Sequence, residues 1–103
     1  MVMESRSSAF LFSVQRALPD EMPSALTGVA VDSDEKTLHI RCFFQGPVTE
    51  TGGQFMDYLK EAVWADFFPT IHVEVEGLNA AMADHLPVGT WVWRTAARDL
   101  VHA

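Results

Sequence analysis

Apolar positions change their period along this chain, and each change predicts an element. Phe10, Val14, Ala17 and Leu18 recur at i, i+4, i+7 and i+8, the spacing of one helical face, with Ser7 and Ser8 as caps and Pro19 as the stop. So short a helix holds its shape by packing on a sheet. Ala25 to Val31 is rich in β-branched and small residues, and Thr37 to Phe44 in β-branched and aromatic ones. The polar cluster Asp32-Ser33-Asp34-Glu35 between them predicts a hairpin turn. Alternation in the second strand sends Leu38, Ile40, Cys42 and Phe44 to the core and Thr37, His39, Arg41 and Phe43 to the other face.

Gly46-Pro47 breaks that strand, and Thr51-Gly52-Gly53-Gln54 has capping-box spacing, predicting a second helix from this point. Phe55, Met56, Leu59, Ala62, Val63 and Phe67 form its apolar stripe, and Asp57, Lys60 and Glu61 its polar side. Met and aromatic residues at this spacing read as core rather than as a cofactor slot. Pro69 ends the helix. Ile71, Val73 and Val75 then alternate with His72, Glu74 and Glu76, a strand with one apolar and one acidic face. A connection from Gly77 to Gly89 leads to a last strand, Thr90 to Thr95. The order α-β-β-α-β-β predicts a single α+β domain: a four-stranded, mainly antiparallel sheet with two helices on one face and the other face at least partly wet. Residues 1–6 and 99–103 are expected to be loose.

Composition narrows the function classes. The 103 residues are 49% apolar and 20% charged, which fits one packed domain and leaves no room for a second core of normal size. No apolar run approaches the roughly 18 to 20 residues of a membrane helix, so no membrane association is expected. The single cysteine excludes an internal disulfide framework and a multi-cysteine zinc site. Ser13 and Gln15 interrupt the short apolar stretch near the N-terminus, and no small-residue cleavage pattern follows, which points away from a secretion signal and towards the cytoplasm. With a net charge of −7, binding to a nucleic-acid backbone is not expected, because phosphate contacts require clustered Lys and Arg.

Candidate chemistry is sparse. Cys42 and His39, three residues apart on one strand, point to opposite faces and do not form a nucleophile pair. His72, Glu74 and Glu76 share a strand face, but at about 3.3 Å per residue the outer two stand about 13 Å apart, too far to hold one metal ion. Gly52-Gly53 lacks the lysine and the strand-to-helix frame of a phosphate loop, and no serine sits in a nucleophile elbow. No catalytic residue, metal or cofactor is therefore expected.

Charge placement says more. Between Asp20 and Asp84 lie twelve acidic residues against Lys36, Arg41 and Lys60, a net −9. The acids gather on the hairpin turn (Asp32, Asp34, Glu35), the outer face of the second helix (Asp57, Glu61) and the third strand (Glu74, Glu76, beside His72). Such placement serves solubility in the bland reading, and a cationic partner in the sharper one. Trp91 and Trp93, two apart on the last strand, are expected to share a face. They either join the core or stand on the wet side as anchors for a partner.

The chain also resembles a known group. Arg16-Ala17-Leu18 closes the first helix, and the hairpin's second strand reads Leu38-His39-Ile40-Arg41-Cys42-Phe43-Phe44-Gln45-Gly46. Thr49-Glu50 follows, then a helix closing with Glu61-Ala62-Val63-Trp64-Ala65-Asp66-Phe67, then Glu74 on a strand and an aromatic last strand. Over residues 12 to 95 this pattern resembles small immunity proteins of bacterial contact-dependent growth inhibition and other polymorphic toxin systems. The resemblance implies a cytoplasmic antidote that binds the C-terminal domain of a cognate toxin, often a nuclease, by stoichiometric occlusion. A nuclease attracts phosphate with Lys and Arg, so carboxylates such as Asp32, Asp34, Glu35, Glu74 and Glu76 would stand in for phosphates. A general interaction or adaptor domain is the alternative, and a small enzyme a further one.

Overall fold

The alternation of the second predicted strand is realised in full: Leu38, Ile40, Cys42 and Phe44 are all buried to under 2% exposure on one face of the sheet. In this computed structural model the described residues are 2–34, 36–67, 69–84 and 89–95, with 2–8 and Asp84 as backbone only. They form helix α1 (Val2–Ala17), strands β1 (Leu26–Ser33) and β2 (Thr37–Phe44), helix α2 (Glu50–Phe67), strand β3 (His72–Asn79), a 3-10 turn (Ala80–Asp84) and strand β4 (Thr90–Arg94). The predicted α-β-β-α-β-β order and α+β class hold.

The sheet runs β3-β2-β1-β4. β1 pairs antiparallel with both β2 and β4, whereas β2 and β3 are parallel. Two of three pairings are antiparallel, as the predicted sheet requires. The parallel one follows from α2, which supplies the long return path that parallel neighbours need. One core cluster joins Phe10, Val14 and Ala17 of α1, Phe55, Leu59 and Val63 of α2, and Val29, Val31, Leu38, Ile40, Cys42, Phe44 and Val73 of the sheet. Both helices therefore cover the same sheet face. Each large apolar side chain buried there stabilises the fold by about 1.5–3 kcal/mol relative to exposure.

Helix starts depart from expectation. α1 begins at Val2, so Ser7 and Ser8 lie inside it and do not cap it. α2 begins two residues early because Thr49, not Thr51, is the cap: its Oγ1 accepts the Gly52 N–H at 3.1 Å. Gly52 is then free for another task. A Cβ there would stand 2.8 Å from the Phe44 ring, so glycine lets α2 approach β2 closely.

The end of the sheet also departs from expectation. β1 extends through Ser33, so Asp32 lies on a strand opposite His39 and the turn tightens around Asp34. β3 runs to Asn79 and passes directly into the 3-10 turn, within what reads from sequence as connection. Residues 99–103 and Glu35 lie outside the described residues.

Candidate functional site

With both helices on one side, the opposite face of the sheet carries the residues that alternation sends away from the core. Register sets them in four rows across the strands. From one end these read His72–Thr37, then Glu74–His39–Asp32, then Glu76–Arg41–Ala30–Trp91, then Leu78–Phe43–Gly28–Arg94. The face thus grades from carboxylate and imidazole at one end to apolar, aromatic and arginine at the other.

The acidic end is a linked set. His39 Nδ1 lies 3.3 Å from Glu74 Oε1, and His72 Nε2 3.3 Å from Glu74 Oε2, so one carboxylate bridges two imidazoles. His39 Nε2 is 3.8 Å from Asp34 Oδ2, and Arg41 Nη1 is 3.8 Å from Asp32 Oδ2. Asp34 also folds the hairpin: its Oδ1 accepts the backbone N–H groups of Lys36 (3.1 Å) and Thr37 (2.9 Å). Those donors, Lys36 first, hold its carboxyl below the usual carboxylate value, so it stays ionised. All of these carboxylates are exposed. The inner basic groups Arg41 and His39 are more covered, with side chains 20% and 32% exposed. The carboxylates, together with His72, therefore meet solvent ahead of Arg41 and His39.

The other end is built by two bulges. Thr27 is an extra residue in β1 between the Leu26–Phe44 and Gly28–Phe43 pairs, and its Oγ1 donates to the Phe43 carbonyl at 3.1 Å. Val92 is an extra residue in β4 between Trp91, opposite Ala30, and Trp93, opposite Val29. Simple alternation is broken there, which corrects the expectation that the two tryptophans share a face. Trp93 packs with Val92 against the core, while Trp91 turns to the open face, its ring 5.4 Å from that of Phe43. Phe43 is fully buried on the face turned away from α1 and α2. The Arg94 guanidinium lies 4.2 Å above the Trp91 ring.

Of the residues singled out from sequence, the fold gathers Asp32, Asp34, His72, Glu74, Glu76 and Trp91 on this one face. Asp57 and Glu61 are not part of it: they lie on exposed positions of α2, on the opposite side of the sheet, beside Lys60 and Trp64. Sequence reasoning passed over Phe43, Gly28 and Arg94. A glycine inside a strand was the available signal, since it marks a close approach by another side chain.

Cys42 is inert. It is buried in the core and desolvation pushes its thiol up to about 12, on the face away from His39. Among the described residues no three His, Cys, Asp or Glu side chains converge to hold a metal ion. Nor is any described helix long and apolar enough to cross a membrane. What the face offers is a surface of graded charge, suited to binding.

Compared with known proteins, residues 7–94 match the family model described as MafI2 immunity protein. No curated protein matches the chain.

Proposed function

The chain belongs to the MafI2 immunity protein family, and from that premise we propose that it neutralises its toxin by laying the open sheet face over a basic functional surface of the toxin domain. Family membership implies a toxin protein as partner. The finer reading makes that partner the basic C-terminal domain of the toxin, a nuclease, met in the cytoplasm. The immunity protein acts on it by occupancy and carries out no turnover of its own.

The supporting observation is the group of exposed carboxylates on the sheet face turned away from α1 and α2. Glu74 and Glu76 stand on β3, Asp32 on β1 and Asp34 in the hairpin turn, with the more covered basic groups Arg41 and His39 on β2 between them. A nuclease cleft presents Lys and Arg to phosphate, and carboxylates on a rigid sheet offer those side chains a competing anionic surface. Because the sheet is preformed, little conformational entropy is lost on docking.

Reversing two of these charges tests the reading. The double variant Glu74→Lys/Glu76→Lys should fold normally by circular dichroism, since exposed substitutions cost little stability. Its affinity for the cognate toxin domain should fall by about 100-fold, at about 1.4 kcal/mol per lost contact, and co-expressed cells should lose protection. The isosteric Glu74→Gln/Glu76→Gln pair should fall between this variant and wild type. Full protection by the reversed variant would place the contact elsewhere.

A further inference from the structure

Carboxylates alone discriminate poorly, because any basic protein attracts them, and the opposite end of the same face holds a group of the other sign. We propose that Arg94, held over the Trp91 ring, pairs with a carboxylate of the toxin domain and thereby fixes both the register and the identity of the partner. This rests on the open face being the toxin contact, and it adds a requirement: the toxin surface carries an acidic residue set apart from its basic patch.

The construction of this corner supports the assignment. Trp91 lies against the sheet because residue 28 is glycine; a Cβ there would stand 2.5 Å from Cζ3 of the indole. Phe43 flanks the ring at 5.4 Å. The indole is therefore a fixed platform wedged between a backbone and a buried ring. Arg94 pairs with Gly28 across the strands, so it rises from the same row and holds its guanidinium over the platform at 4.2 Å. A guanidinium attracted to a ring face does not use its N–H donors for that contact, so they stay available to a bidentate acceptor.

The contrast with the other described arginine side chains is informative. Arg16 sits 2.8 Å from Asp66, and Arg41 3.8 Å from Asp32, so each has a carboxylate within its own fold. Arg94 is exposed and pairs with no carboxylate among the described residues. Its rotamer freedom is already restricted by the ring contact, so less entropy is lost when an acceptor arrives. Three strand spacings separate β3 from β4, about 14 Å at about 4.8 Å each, and this is the distance the partner must match between its basic patch and its acidic residue. A partner with an unbroken basic surface would set a cation against Arg94, and that repulsion rejects it.

Binding of the cognate toxin domain, inactivated by substitution in its own active site, should be measured for Arg94→Lys, Arg94→Gln and Glu74→Lys/Glu76→Lys. The lysine variant keeps the charge but loses the planar fork, and about a tenfold loss of affinity is expected for it, with a larger loss for Arg94→Gln. Replacing the toxin's surface Asp and Glu residues one at a time by Asn and Gln should reveal one whose effect vanishes in the Arg94→Gln background. Emission in a Trp64→Phe/Trp93→Phe background, where Trp91 is the remaining indole, reports whether the platform persists in each variant. Wild-type binding by both Arg94 variants, with Glu74→Lys/Glu76→Lys weakened, overturns this inference and leaves the acidic reading intact. Wild-type binding by all three overturns both.

Discussion

At the scale of single residues, burial decides what chemistry survives. Cys42 is the only cysteine and a ready nucleophile on paper, yet it is fully enclosed by the core and its thiol is raised to about 12 from 9.0. The unfolded chain loses this proton first, so the stability gained by keeping the thiol neutral is complete below pH 9.0 and is lost as pH rises towards 12. A disulfide-exchange reagent at pH 8 should therefore leave the folded protein unmodified and label one thiol per chain once denaturant is added. Rapid labelling of the folded protein would show that the core opens around β2. The same distinction between buried and exposed explains His39. It lies within reach of Glu74 and Asp34, but on the sheet face opposite Cys42, so no nucleophile pair forms.

At the scale of elements, one carboxylate ties the two helices. Asp66 on α2 accepts from the Ser13 hydroxyl and from Arg16 Nη2, both on α1 and both through Oδ2. The arginine is 60% exposed, so its ion pair contributes about 0–1 kcal/mol. Ser13 is buried, and removing its acceptor strands a hydroxyl at a cost of about 1–3 kcal/mol. Asp66→Ala should therefore lower unfolding stability more than Arg16→Ala, as read from denaturant midpoints. An equal loss from the two would place the stabilisation in the ion pair.

Elements also show what a sequence carries and what it hides. Strand β2 was legible to the residue because a period of two with one buried face admits a single register of side chains. The stripe on α2 was legible for the same reason at a period near 3.6. Helix caps were harder, since Thr49 and Thr51 both offer a hydroxyl near the start and spacing alone does not select between them. The bulges at Thr27 and Val92 leave no mark in hydropathy. They arise from pairing across strands, and the second one separates Trp91 from Trp93. Strand direction is equally silent: nothing in His72–Asn79 states that β3 runs parallel to β2. Of the candidate site, the acids on β3 were readable from alternation and those of the hairpin from the polar turn cluster, whereas the Arg94–Trp91 contact depends on the bulge and on Gly28.

For the molecule as a whole, a surplus of seven negative charges means little until it is given a place. The fold supplies that place by putting both helices on one side and leaving the other side to His72, Glu74, Glu76, Asp32 and Asp34. Asp57 and Glu61 raise the overall field from the far side, without joining the face. On the proposed docking their part would be long-range attraction alone, which acts on the rate of encounter and is screened by salt. The measurement that bears most directly on an acidic face covering a basic toxin is the equilibrium affinity for the cognate toxin domain across a salt series. Between about 50 and 500 mM NaCl, affinity should fall steeply and log-linearly, as for paired charges screened by ions. Affinity that stays flat over the same range would contradict the account.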